Sequence, residues 1–268
     1  MKIAIAGKGG VGKTTLASLL ARSYAADGRK VLAIDADPDA NLAAAIGFPR
    51  ERLAELKPIS SMKEVAIERT GHGGGYGGFF KLNPTVDDLP DTLSVQHAGV
   101  RILALGAIEH GGAGCVCPEH ALLRALMTHI LVLRDDVVIM DMEAGVEHLG
   151  RGTADSVDCL VIVVEPGQRS LETARQIERL AADLGIRRLA YVGSKVADAG
   201  ELSFLQAALP PGLLLGALTL SDALRQADKE GRSPFDVGGQ AVAEAREIRR
   251  NLERLVASPL PPKEAACA

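Results

Sequence analysis

Short apolar runs alternate with stretches of helical spacing along most of this chain. Aliphatic runs near 2–6, 30–34, 101–105, 136–141, 159–164, 188–193 and 213–218 read as strands, whereas 14–26, 119–133, 170–184 and 241–257 carry apolar positions at helical intervals, as in Leu16, Leu19 and Leu20. Continuous apolar strands alternating with helices predict an α/β fold, a mostly parallel central sheet flanked by helices on both faces. Ligands of such sheets gather beyond the carboxyl ends of the strands. Two stretches break the pattern. Gly71 to about Val95 is too rich in glycine for a regular element and reads as an excursion or lid, with disorder as the alternative; Pro259 to Ala268 reads as a frayed tail that cannot continue a helix. No Pro/Ser-rich linker divides the rest, so residues 1–258 are expected to form a single domain, with 259–268 a disordered tail.

The first strand runs directly into Gly7-Lys8-Gly9-Gly10-Val11-Gly12-Lys13-Thr14-Thr15. G-x-x-x-x-G-K-T between a strand and a helix is a phosphate-binding loop: backbone N–H groups from Gly9 to Thr15 turn around an anion, and the helix N-terminus adds partial positive charge. Lys13 is placed to reach the β- and γ-phosphates of ATP and the Thr14 hydroxyl to hold Mg²⁺. Lys8 is a second lysine that this loop does not require. At the start of the loop it is badly placed to fold back onto its own phosphates, and a second subunit could use it instead.

Carboxylates follow at two further strand ends. Asp35 and Asp37, in Asp35-Ala36-Asp37-Pro38-Asp39-Ala40-Asn41, sit where Mg²⁺ or an attacking water would be met, and Asp141 ends the apolar run Val137-Val138-Ile139-Met140. Asp39 is a third acid of the same stretch without a clear role. The alternative is that these acids only terminate strands.

The string K-G-G-x-G-K-T-T resembles the deviant phosphate loop of a family that includes septum-site and chromosome-partition ATPases, nitrogenase iron protein and several metallocentre maturation proteins. That resemblance implies a P-loop NTPase fold of the deviant Walker A type, a nucleotide-sandwich homodimer that binds ATP or ADP, and a role in trans for Lys8. It implies that Asp37 positions the attacking water, that Asp35 lies near the metal shell and that Asp141 binds Mg²⁺ through water. Met142-Glu143-Ala144-Gly145 is similar to the family's second switch, with Glu143 where relatives often carry a shorter neutral side chain. Val192-Gly193-Ser194-Lys195 is similar to its adenine-contacting N-K motif. Here Ser194 replaces asparagine, and a hydroxyl cannot reproduce an amide's paired donor and acceptor.

With 268 residues, 47% of them hydrophobic, the chain can bury a large core; its formal net charge of −4 gives no global basic field to recruit nucleic acid or an anionic membrane. No run of apolar residues is long enough to span a bilayer and the first residues open a strand, so a cytoplasmic protein without a membrane partner is expected. Four cysteines with this spacing do not form a secreted disulfide framework. Cys159 begins an apolar strand and reads as core.

Cys115 and Cys117 differ. They stand at i and i+2 in Gly114-Cys115-Val116-Cys117-Pro118-Glu119-His120, just before a helix start that favours thiolates. Two thiolates are half of a tetrahedral site, and a two-fold axis would supply the other half; buried, unreactive cysteines are the alternative. His110 and His120 are near enough in sequence to join, though packing or surface roles suit each of them better.

Together with Met140-Asp141-Met142-Glu143-Ala144-Gly145-Val146-Glu147-His148-Leu149-Gly150-Arg151-Gly152-Thr153, this pair resembles the CooC-type ATPases that mature nickel-dependent carbon monoxide dehydrogenase, over roughly residues 1–235. The resemblance implies Ni²⁺ or Zn²⁺ held at a dimer interface by Cys115 and Cys117 of both chains, and a nickel-enzyme apo-protein as client, carbon monoxide dehydrogenase or the related acetyl-CoA synthase. Two other readings stay open. An electron-donor iron protein would need a second ligating cysteine in the switch segment that follows Asp141, and residues 142–158 contain none. A positioning or partition ATPase of the membrane kind would need a basic amphipathic end, and residues 241–257 mix glutamates with arginines.

Overall fold

The computed structural model describes residues 1–37, 40–71, 81–106, 118–133, 135–143, 151–154 and 156–260. Among these the strands are β1 (Lys2–Gly7), β2 (Val31–Asp35), β3 (Val95–His97), β4 (Val100–Ala104), β5 (Val137–Asp141), β6 (Cys159–Val164), β7 (Leu189–Val196) and β8 (Leu214–Thr219). The helices are α1 (Lys13–Ala26), α2 (Leu42–Ile46), α3 (Lys63–Thr70), α4 (Leu89–Leu93), α5 (Pro118–Thr128), α6 (Arg151–Ala154), α7 (Gln168–Leu184), α8 (Ala199–Ala208), α9 (Asp222–Glu230), α10 (Pro234–Val237) and α11 (Gly239–Ala257).

The strands form one sheet in the order β3-β4-β2-β5-β1-β6-β7-β8, parallel throughout except for β3, which runs antiparallel to β4 at the edge. This is the expected α/β sheet with one edge strand added. Alternation along each strand sorts its side chains onto two faces. Ala4, Leu32, Ile34, Val138, Met140, Leu160 and Ile162 enter one core with α3, α5, α7 and α8. Ile3, Ile5, Ala33, Ile139, Val161 and Val163 enter the other with α1, α2 and α11. A fully buried Leu, Ile or Val contributes roughly 1.5–3 kcal/mol relative to its exposed state, so the two-sided burial of β1, β5 and β6 is what holds the middle of the sheet rigid. Cys159 lies in the second core, fully buried, and burial pushes its thiol up to about 12, as an inert core cysteine requires.

The sequence pattern left out seven of these helices, α2, α3, α4, α6, α8, α9 and α10, and one strand, β3. α8 starts with Asp198 accepting from the Glu201 N–H at 2.9 Å while the Glu201 carboxylate accepts from the Ala197 N–H at 2.7 Å, a reciprocal cap. α9 is capped by Ser221, and α3 offers few apolar positions to reveal it. The helix expected over 119–133 ends as α-helix at Thr128 and continues as a wider π turn, His129–Leu133. Of the glycine-rich excursion, residues 72–80 lie outside the described residues. Of the remainder, 81–88 are bends, turns and coil, α4 occupies Leu89–Leu93, and Arg69 makes a two-pronged pair with Asp88, Nη1 to Oδ1 at 2.7 Å and Nη2 to Oδ2 at 2.6 Å. From residue 261 the expected tail also lies outside the described residues. No helix among the described residues is long and apolar enough to cross a membrane.

Candidate nucleotide site

β1 and α1 are joined by the glycine-rich loop, and two glycines in it are required by close approach. A Cβ on Gly7 would stand 2.6 Å from the Val163 carbonyl oxygen of β6. One on Gly12, whose φ is +103°, would stand 2.7 Å from the Ser194 Oγ of β7. The loop is therefore pressed onto the carboxyl ends of its neighbouring strands, and buried Val11 anchors its middle in the core. Gly9 and Gly10 are exposed, leaving their backbone accessible. Lys13 is only 6% exposed, and its Nζ donates to the Lys8 carbonyl at 3.4 Å, so its charge lies under the loop's arch.

The register of the sheet brings the acids to this loop. Asp141 pairs with Ile5 of β1 on one side and with Asp35 of β2 on the other. Both carboxylates are buried, and their environments differ. Asp35 Oδ2 accepts from the Leu42 N–H at 2.8 Å and Oδ1 from the Asp37 N–H at 3.3 Å, so Asp35 holds the turn that carries Asp37. Burial raises its pKa to about 6 despite these bonds. Asp141 is driven further, to about 7, chiefly by burial; its hydrogen bond with Thr14 and the Lys13 charge oppose that shift, while Asp35 and Asp37 add to it. Its Oδ1 is buried with no hydrogen-bond partner. An orphaned, desolvated carboxylate oxygen beside a threonine hydroxyl is the hard oxygen donor set that suits Mg²⁺, so these residues fit the expected ion.

A cavity of about 790 Å³ opens over the loop. Gly9 to Thr15 border one part, Asp37, Asn41 and Glu143 another, and Ser194 and Lys195 a third. Its remaining wall comes from Leu218 to Ser221 after β8 and from Leu224, Arg225 and Asp228 on α9, none of which the sequence reading singled out. Only strand order could have found them, because β8 lies beside β7 and its carboxyl end meets the same crevice.

Lys8 does not turn into this cavity. Its Nζ stands 3.4 Å from Glu165 Oε1, at the carboxyl end of β6. Lys195, at the left-handed φ of +57°, donates to the Gly10 carbonyl at 2.6 Å and lies 3.6 Å from Glu165 Oε2. Ser194 is nearly buried against Gly12, so its side chain supports the phosphate loop as well as lining the cavity. Glu165 was not anticipated; an acid after an apolar strand is a signal that could have drawn notice. Among the described residues no group of three or more His, Cys, Asp or Glu is arranged to hold a metal ion. Cys115, Cys117, His110, Asp39 and His148 lie outside the described residues, as does the His120 side chain.

Comparison with known proteins agrees with this geometry. Residues 2–235 match the family model described as the CobQ/CobB/MinD/ParA nucleotide binding domain. The chain is 52% identical over 237 residues to the carbon monoxide dehydrogenase accessory protein CooC of Rhodospirillum rubrum, covering 88% of this chain and 90% of that one. It is 49% identical over 197 residues to an uncharacterized ATP-binding protein of Methanocaldococcus jannaschii, covering 73% and 75%. The septum-site-determining protein MinD of Pyrococcus horikoshii, complexed with Mg-ADP, superposes with a TM-score of 0.66 at 18% identity, covering 95% and 96%, a likeness of fold.

Proposed function

The chain belongs to the CobQ/CobB/MinD/ParA nucleotide-binding family, alongside CooC, and is a P-loop ATPase; from that premise we propose that it is a dimeric, ATP-driven metallochaperone for a nickel enzyme. The observation that carries this reading is the 52% identity to a carbon monoxide dehydrogenase accessory protein, in a chain that has both the second loop lysine, Lys8, and the Cys115/Cys117 pair. The client is apo carbon monoxide dehydrogenase, or the related acetyl-CoA synthase, and the cargo is Ni²⁺, with Zn²⁺ as the competing ion.

The residues divide the work by position. Backbone N–H groups of Gly9 to Thr15 and the α1 N-terminus bind the phosphates, and Lys13 meets the β- and γ-oxygens. Thr14 and Asp141 would hold Mg²⁺, which when bound supplies positive charge to the phosphate oxygens. Asp35 acts through its two backbone bonds, fixing the turn from which Asp37 orients the attacking water. Ser194, Lys195 and the wall after β8 surround the base end of the cavity. Lys8 serves the nucleotide of a second copy, so that hydrolysis requires the dimer. Each copy presents Cys115 and Cys117, four thiolates in all, and the ATP-closed and open arrangements hold the cargo differently. Hydrolysis then resets the pair.

Reconstitution tests this function. Apo carbon monoxide dehydrogenase incubated with limiting Ni²⁺, Mg·ATP and the wild-type chain should gain activity faster than with Ni²⁺ alone, whereas the Cys115→Ser/Cys117→Ser double variant should give no acceleration while still binding ATP. Equal acceleration by the double variant would remove the cysteines from delivery.

A further inference from the structure

Glu165 stands between the two lysines that flank the phosphate loop. Its position is well defined: it follows buried β6, and its backbone N–H donates to Ser170 Oγ, itself buried at the start of α7, at 3.0 Å. From there Oε1 faces Lys8 Nζ at 3.4 Å and Oε2 faces Lys195 Nζ at 3.6 Å, while Lys195 is tied to the loop at Gly10. The carboxylate thus holds the Lys8 side chain along the flank of its own protomer, away from the cavity. The side chains of Lys8 and Glu165 remain 39% and 30% exposed, so the pair is open enough to exchange partners.

We propose that Glu165 is a positioning residue that latches Lys8 in the free protomer and competes with the nucleotide of a second copy for it. This rests on the trans role of Lys8 given above. Glu165 draws the Lys8 ammonium onto the flank of its own protomer, and reaching a γ-phosphate in a second copy requires the side chain to swing off that 3.4 Å contact. An ion pair this exposed shifts an equilibrium by roughly two- to fivefold. The latch therefore biases the monomer without locking it. Lys195 keeps its bond to the Gly10 carbonyl in either state, so the loop holds its shape while Lys8 moves.

The test is a double-mutant cycle on dimerisation. Sedimentation in Mg²⁺ and a non-hydrolysable ATP analogue would give the dimer dissociation constant for the wild type, Glu165→Gln, Lys8→Ala and the double variant, with melting temperature checked for each. Glu165→Gln, nearly isosteric, should tighten the dimer two- to fivefold, Lys8→Ala should weaken it, and Glu165→Gln should have no effect in the Lys8→Ala background. The same tightening in both backgrounds would mean that Glu165 acts through general charge and would overturn the latch, as would an unchanged or weaker Glu165→Gln dimer. If Lys8→Ala itself leaves the dimer unchanged, the trans role fails and the latch with it; loss of coupling while Lys8→Ala still weakens the dimer overturns the latch alone.

Discussion

Replacing Asp141 with asparagine should make the nucleotide-free protein more stable and the ATPase inactive. Folding raises the Asp141 pKa from about 3.8 to about 7. The neutral carboxyl therefore folds better than the carboxylate, so stability is complete below about pH 3.8 and is lost progressively as pH rises to about 7, where the loss levels off. Each tenfold in that equilibrium is worth about 1.4 kcal/mol, which bounds the loss at about 4 kcal/mol. Asp141→Asn removes the charge while keeping the shape; the shift is already net of the Thr14 and Lys13 contacts, and after an allowance for burying the N–H groups of the new amide, a gain of about 2 kcal/mol at pH 8 is expected. For a chain of this size that corresponds to a rise of roughly 4–8 °C in Tm. Thermal scans without nucleotide at pH 8 and pH 5 should show the gain shrinking at the lower pH, where the wild-type carboxyl is already largely neutral. With Mg·ATP the order should reverse, because the ligand stabilises only the protein that binds it well. An apo Asp141→Asn protein less stable than wild type at pH 8 would refute the claim that this buried carboxylate is costly without its cation.

Lys13→Ala should lose both ATP binding and turnover, whereas Asp37→Ala should retain ATP and hydrolyse it slowly; unchanged steady-state ATPase in Asp37→Ala would remove that residue from the mechanism. Mixing Lys8→Ala subunits with Lys13→Ala subunits should restore activity, since the mixed dimer contains one site with an intact Lys13 loop and an intact Lys8 facing it. Heterodimers of verified composition with no ATPase above either parent would count against the trans model.

What could be read from the chain was local chemistry and alternation. The phosphate loop is contiguous, so Gly7 to Thr15 declared both its strand-loop-helix context and its ligand. Asp35 and Asp141 were visible because each ends an apolar run, and the sheet register then set them side by side. The sorting of residues such as Ile3 and Ala4 into opposite cores follows from a period of two. Features that depend on strand order were not legible: the Lys8–Glu165 contact joins residues 157 positions apart, and Leu218 to Asp228 reach the cavity only because β8 lies beside β7. β3 is three residues long, too short for a periodic signal, and α8 was missed although its Asp198 and Glu201 spell out a cap. Ser194 shows a different limit. Its identity suggested a weakened base contact, while its burial against Gly12 shows a packing duty that no motif encodes.

The central claim, that two copies of this chain share one metal ion, is tested most directly by metal titration of the purified protein followed by X-ray absorption at the metal edge. One divalent ion per dimer is predicted, with about four sulfur neighbours at roughly 2.3 Å for zinc, lost in the Cys115→Ser/Cys117→Ser variant. One ion per monomer, bound with equal affinity by the double-serine variant, would contradict it.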